Sequence, residues 1–298
     1  MSDNKIVNGK SSNPKSMAMF PEVWDELTRE DYVSMLKLRD MLLTNPPANI
    51  DVDDIRIEAA RCLLLNRGIR TRMSDDKYFL LVRQCGAKLD WLWQETEEGG
   101  VALVYRSTVN PLDKFGQLYG PMSHGADLVF GEFKEALALC KAYDKDENHP
   151  MELLQQLAGL LYRRRGYKSN GKKQVGRRIA YDIDGADAQL TRGRRMPRWF
   201  VWGVYAWFSF FCEYLATGVF IIDGREVSFK SVFGGGRSSD GGNEGLGLNS
   251  IALTLAESGV FGGFDDVLHT PLMRVMMKML HDHESYERTR KEFKTKQL

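Results

Sequence analysis

The sequence predicts a mainly α-helical fold with one small β-hairpin near residues 88–105. Apolar residues recur at helical spacing in several segments, and proline or glycine ends most of these segments. One other segment alternates polar and apolar residues around a glycine turn, which is the pattern of a β-hairpin. Apolar residues make up 43% of the chain, which is enough for a globular core.

The first predicted helices follow a polar segment, residues 1–19, which has no periodicity and is expected to be disordered. A helix begins at Thr28, a side chain that can cap it, and ends before Asn45-Pro46. Two more helices fit residues 53–66 and 74–84, and a glycine closely follows each.

The hairpin is predicted from the alternation in residues 88–94, a turn at Gly99-Gly100 and a second strand over residues 101–105. It is the one convincing hairpin pattern in the sequence. Further helices are predicted over residues 130–143, 151–165, 250–258 and 265–291.

The composition predicts how these elements are grouped. Residues 20–165 are expected to form an N-terminal helical domain that contains the hairpin. Residues 166–196, rich in Gly, Lys and Arg, are expected to be an exposed basic linker. Residues 197–298 are expected to form a C-terminal helical region, interrupted by a glycine-rich loop at 234–247.

The totals restrict the class of protein. A formal net charge of +1 argues against a chain that binds polyanions over its whole surface. The four cysteines have no CxxC spacing, so neither a zinc ribbon nor a disulfide framework is predicted. The polar N-terminal segment lacks the apolar stretch of a secretory signal, which favours an intracellular protein.

Three patterns resemble cofactor or metal sites but lack a required part. Residues 166–172 match GxxxxGK, but Lys173 stands where a Ser or Thr must ligate magnesium. The 234–247 loop has no GxGxxG between a strand and a helix. His281 and His283 would lie about 200° apart on a helix and cannot face one ion together. The sequence therefore predicts no catalytic, cofactor-binding or metal-binding residues, and a protein that is not an enzyme.

A basic run is the strongest electrostatic feature, and it contains no acidic residue between positions 163 and 178. Clustered Lys and Arg predict salt-dependent, sequence-nonspecific contact with phosphates. The alternatives are a solvated loop or a loop that docks on an acidic surface. The candidate polyanion contacts are Arg163, Arg164, Arg165, Lys172, Lys173, Arg177 and Arg178.

An aromatic, apolar segment follows at residues 199–222, with Glu213 as its single charge. Its length is sufficient to span a bilayer. The central Glu213 and the even spread of aromatic residues argue against that interpretation, and a buried central helix or a partner-binding surface explains the same residues. The candidate partner-binding residues are Trp199, Trp202, Tyr205, Trp207, Phe210 and Phe211.

Short motifs that surround the predicted helices resemble a known family across roughly residues 20–290. They are Phe20-Pro-Glu-Val-Trp-Asp-Glu-Leu-Thr28, Tyr119-Gly-Pro121, Phe130-Gly-Glu-Phe133, Leu160-Leu-Tyr-Arg163, Ser258-Gly-Val-Phe-Gly262 and Thr270-Pro-Leu272. With these motifs the chain resembles tailed-bacteriophage proteins encoded between the tail tube and tape-measure genes, the position of tail assembly chaperones.

That resemblance implies a chaperone that acts in the host cytoplasm without catalysis or cofactor. Such a protein coats the tape-measure protein until tail tube subunits replace it, and it can also associate with itself. Two alternatives remain from the residues themselves. One is a nucleic-acid-binding accessory or virion protein that uses residues 163–198, and the other is a membrane-associated protein anchored by residues 199–222.

Overall fold

The computed structural model describes residues 20–44, 51–69, 74–97, 100–166, 177–181, 185–234 and 248–295. Helices account for 61% of the structure and a few small antiparallel sheets accompany them, which confirms the predicted mainly α fold. The predicted tail and most of the glycine-rich loop lie outside the described residues.

The chain divides into two compact units, one up to Val104 and the other from Tyr105 onwards. This division differs from the predicted domain boundary at residue 165. Residues 105–165 belong to the second unit because their helices pack against helices that follow them in the sequence.

The first unit contains three helices and the predicted hairpin. Thr28 Oγ1 accepts a hydrogen bond from the backbone N–H of Asp31, which confirms that Thr28 caps the first helix. Strand pairing places Trp93 opposite Leu103. The elements are α1 (Arg29–Thr44), α2 (Val52–Asn66), α3 (Asp75–Gly86), β1 (Trp93–Glu95) and β2 (Val101–Leu103).

The second unit contains eight helices and five short strands within the described residues. The elements are β3 (Lys114–Phe115), β4 (Leu118–Tyr119), α4 (Phe130–Lys145), α5 (Met151–Leu161), β5 (Arg163–Arg164), α6 (Ala186–Gly193), α7 (Arg198–Thr217), β6 (Phe220–Ile222), β7 (Arg225–Val227), α8 (Lys230–Gly234), α9 (Leu248–Glu257), α10 (Phe264–Leu268) and α11 (Leu272–Thr295). The order β3-β4-β5 forms an antiparallel sheet, and β6 pairs with β7 around the turn at Asp223-Gly224.

Several elements differ from the predictions. Residues 186–193 of the predicted exposed linker form α6, which packs against α5. The first hairpin strand begins at Trp93, because residues 88–92 lie in a turn-rich segment and not in the predicted strand.

The helix predicted over residues 151–165 ends at Leu161, because Arg163 and Arg164 pair with β4 as a strand. The β6–β7 hairpin was not predicted; Asp223 and Gly224 both have positive φ, as a tight hairpin turn requires.

Helix α7 forms the centre of the second unit. Its buried side chains include Phe200, Val204, Phe208 and Leu215, which lie within about 80° of one another on one face of the helix. The ring of Phe133 on α4 packs against Phe208. The structure thus agrees with the buried-helix interpretation of this segment. Within the part of the chain that the structure describes, no helix is long and apolar enough to cross a membrane.

Candidate functional site

Four charged side chains form a buried charge network, defined here as Asp127, Glu132, Arg163 and Arg178. Arg163 lies 2.7 Å and Arg178 2.5 Å from the same Glu132 carboxylate oxygen. Arg178 also contacts Asp127 at 3.2 Å. Both arginines are almost fully buried, so the prediction that they are exposed polyanion contacts is wrong.

The two positive and two negative charges of the buried charge network balance. Burial by itself would lower the pKa of Arg178, but the charges of Glu132 and Asp127 outweigh it and raise the pKa. The guanidinium groups also donate to the backbone carbonyls of Leu160 and Leu161 at the end of α5. The network therefore joins β5 and the segment that contains Arg178 to helices α4 and α5 through ion pairs and hydrogen bonds.

Arg164 lies on the opposite side of β5 from Arg163, because successive side chains of a strand alternate. It lines an open pocket of about 390 Å³ between β5 and α6. We call this the arginine pocket; its lining residues are Arg164, Asp187, Ala188, Thr191, Arg192 and Arg195.

The electrostatics of the arginine pocket favour an anion. Burial lowers the pKa of Arg192, and the positive charge of Arg163 lowers it further. Among the residues that the structure describes, no carboxylate forms an ion pair with Arg164, Arg192 or Arg195. Among the described lining residues, Asp187 is the one that is acidic. The described lining of the arginine pocket therefore carries excess positive charge, whereas the charges of the buried charge network balance.

A close crossing of α5 and α6 positions these arginines. Gly159 on α5 lies against the backbone carbonyl of Gln189, and Gly193 on α6 lies against that of Gln155. A Cβ atom at either glycine would be 1.7 Å from the facing oxygen, so both positions require glycine. Arg192 Nε donates to the Gly159 carbonyl at 3.0 Å, and this hydrogen bond holds the Arg192 guanidinium group against α5.

The remaining basic candidates have different positions. Arg165 and Arg177 are exposed, and Arg177 lies 3.9 Å from the carboxylate of Asp113. Lys172 and Lys173 lie outside the described residues. Arg192 and Arg195 are not among the predicted contacts; Arg192 lies on α6, Arg195 lies in the turn that follows it, and both line the arginine pocket.

The aromatic candidates are also divided. Trp207 and Phe211 are almost fully buried inside the second unit, so their prediction as partner-binding residues is wrong. Trp199, Trp202, Tyr205 and Phe210 are half-buried. The Tyr205 hydroxyl donates to Asp144 at 2.5 Å, and burial followed by this bond raises its pKa. These contacts lie within the second unit.

Among the described residues, metal-ligating side chains and thiols are two kinds of group that could support catalysis. In the described ranges, no three His, Cys, Asp or Glu side chains are close enough to hold a metal ion. The four cysteines are free, and burial raises the pKa of each thiol, which disfavours the reactive thiolate. That the protein is not an enzyme stays a prediction.

The motifs behind the family resemblance have structural roles here. Gly120 lies against the ring of Tyr162, and the Tyr162 hydroxyl donates to the Leu112 carbonyl. Comparisons with protein-family models, curated proteins and solved structures found no match for this chain. The relationship to tail assembly chaperones therefore stays a prediction.

Proposed function

We propose that this chain is a nucleic-acid-binding accessory or virion protein that contacts phosphates through the arginine pocket and acts without catalysis. The observation that carries the proposal is the excess positive charge of the described lining of this pocket, which contains Arg164, Arg192 and Arg195 and, among acidic residues, Asp187. Guanidinium groups bind phosphate oxygens through paired, charge-assisted hydrogen bonds. A phosphate in the pocket would balance the positive charge that Asp187 leaves uncompensated among the described lining residues.

A polyanion suits this surface better than a small anion. Two further exposed arginines, Arg194 and Arg198, lie near Arg195 in the sequence. They offer contacts to phosphates that neighbour the one in the pocket. Since these contacts are all to phosphates, binding should depend strongly on salt and little on base sequence.

The proposal is tested with the double variant Arg164→Gln, Arg195→Gln. These two side chains are exposed. The hydrogen bond from α6 to the Gly159 carbonyl is donated by Arg192, which the double variant keeps. Binding of fluorescent duplex and single-stranded DNA is measured by anisotropy at several salt concentrations. The double variant should lose about two phosphate contacts. The slope of log K against log salt should therefore become less steep by about 1.8 for duplex DNA.

The matched control is the double variant Arg225→Gln, Lys230→Gln, which removes two exposed positive charges elsewhere in the same unit. It should bind as the unchanged protein does. Absence of salt-dependent binding in the unchanged protein would overturn the proposal. Equal loss in the control and the arginine-pocket variant would also overturn it, since that result indicates a general charge effect.

Tail assembly in the host cytoplasm is a second candidate, and an exposed apolar pair in the first unit favours it. Phe79 and Leu80 on α3 are 59% and 58% exposed. A protein that keeps the apolar helices of a tape-measure protein in solution needs such a surface. Co-expression with a tape-measure protein should give a soluble complex that the Phe79→Ser, Leu80→Ser variant loses. The variant Ile221→Ser, at an exposed apolar position of the second unit, should keep the complex.

A further inference from the structure

Helix α11 has a buried first part and an exposed second part. Leu272, Val275 and Met276 are buried in the core of the second unit. From His281 to Phe293, every side chain is at least partly exposed. At a rise of 1.5 Å per residue, this exposed part extends for about 18 Å. It therefore offers a regular helical surface to a partner.

One side of this surface is apolar at a spacing of seven residues. Tyr286 and Phe293 follow each other at that interval and are 65% and 64% exposed. Half-buried Met279 precedes Tyr286 by the same interval, just before the exposed part begins. Residues seven apart lie within about 20° of one another around an α-helix. This is the spacing with which two helices pack side by side. We propose that the exposed part of α11 pairs antiparallel with α11 of a second copy of this chain.

The charges beside this apolar side indicate why the partner is a second copy. Asp282 precedes Tyr286 by four residues and Arg290 follows it by four, so both lie about 40° from it around the helix. In an antiparallel pair centred on Tyr286, Asp282 of each copy faces Arg290 of the other. Met279 likewise faces Phe293, and the two Tyr286 rings meet at the axis. The surface is thus complementary to itself in both charge and apolar contact.

The same charges select the direction of the pairing. In a parallel pair, Asp282 would face Asp282 and Arg290 would face Arg290, which is repulsive. Within one chain, Asp282 contacts Lys278 at 2.5 Å and Arg290 contacts Glu287 at 3.4 Å. Asp282 also lies 3.5 Å from Nδ1 of His281. These exposed contacts along one helix are weak, so Asp282 and Arg290 can exchange them for contacts across the interface.

A charge exchange tests the pairing in the full-length protein. Sedimentation velocity over a wide range of micromolar concentrations should show a monomer–dimer equilibrium. Asp282→Arg and Arg290→Asp, made singly, should each weaken the dimer by about tenfold, because like charges then meet. The double exchange restores opposite charges across the interface and should restore most of the affinity.

Arg288→Asp is the matched control, since it makes the same charge change about 160° away from Tyr286 on the same helix. It should leave the dimer unchanged. Circular dichroism of every variant checks that α11 remains helical. A protein that stays monomeric at all concentrations, or a double exchange as weak as the single variants, would overturn the proposal.

Cysteine cross-linking then tests the antiparallel register. Tyr286→Cys should form a disulfide between two copies, because this position meets itself at the axis. Met279→Cys and Phe293→Cys should cross-link with each other when mixed, but not alone. Cross-linking of Met279→Cys with itself would show a parallel pair and refute the register. The pairing does not involve the arginine pocket, so this proposal and the proposed function fail or succeed independently.

Discussion

Replacement of Gly159 by alanine should destabilise the second unit, although alanine normally stabilises a helix. The added Cβ atom would be 1.7 Å from the Gln189 carbonyl oxygen, half of the 3.4 Å at which ordinary contact begins. Because the facing atoms belong to the backbone of α6, no side-chain rotation relieves the contact. The two helices must separate, and their packing is then lost.

The size of the effect follows from two opposing contributions. Overpacking against a rigid backbone costs about 3 kcal/mol, and the helix preference of alanine over glycine returns about 1 kcal/mol. The free energy of unfolding should therefore fall by about 2 kcal/mol. For a unit of this size, that corresponds to a melting temperature about 4–8 °C lower.

The assay is thermal and urea unfolding followed by circular dichroism. Ala142→Gly, at an exposed position of α4, is the control and measures helix preference alone, about 1 kcal/mol of destabilisation. Gly193→Ala forces the same separation of α5 and α6, so the double variant should lose less than the sum of the single variants. A higher melting temperature for Gly159→Ala would refute the close crossing.

The remaining predictions concern the interior of the molecule. Glu132→Gln leaves excess positive charge in the buried charge network, and urea unfolding should show a loss of about 3–5 kcal/mol. Asp113→Asn, which removes only an exposed contact, should cost less than about 1 kcal/mol. Trp207→Ala should cost about 3–5 kcal/mol if this residue belongs to the core, and Trp199→Ala, at a half-buried position, should cost less. The raised pKa of all four thiols predicts slow alkylation at mildly alkaline pH, where few thiolates exist; mass spectrometry should detect rapid alkylation only after denaturation.

The helices and the first hairpin could be predicted from sequence because local interactions specify them. Thr28 caps α1 through a bond to a backbone N–H three residues away. The hairpin β1–β2 pairs residues that surround the same glycine turn that its alternation indicated. Helical spacing similarly located α4 and most of α5. In each of these cases the partners are close in the sequence.

The arginine pocket could be predicted only in part. The charge run located the basic region, but not the separation of Arg163 from Arg164. That separation arises because β5 pairs with β4, a strand more than forty residues earlier, and so turns the two side chains in opposite directions. Glu132, the partner of Arg163, is 31 residues away in the sequence. No local pattern specifies either contact.

The sequence by itself determined the fold class, most helices and the presence of concentrated basic and aromatic segments. The tertiary structure decided which members of those segments face solvent. Arg178 and Trp207 are among the strongest candidates by composition, yet both are buried, whereas Arg195 lines the open pocket. The physical reason is that secondary structure depends mainly on neighbouring residues, while burial depends on partners brought together from distant parts of the chain.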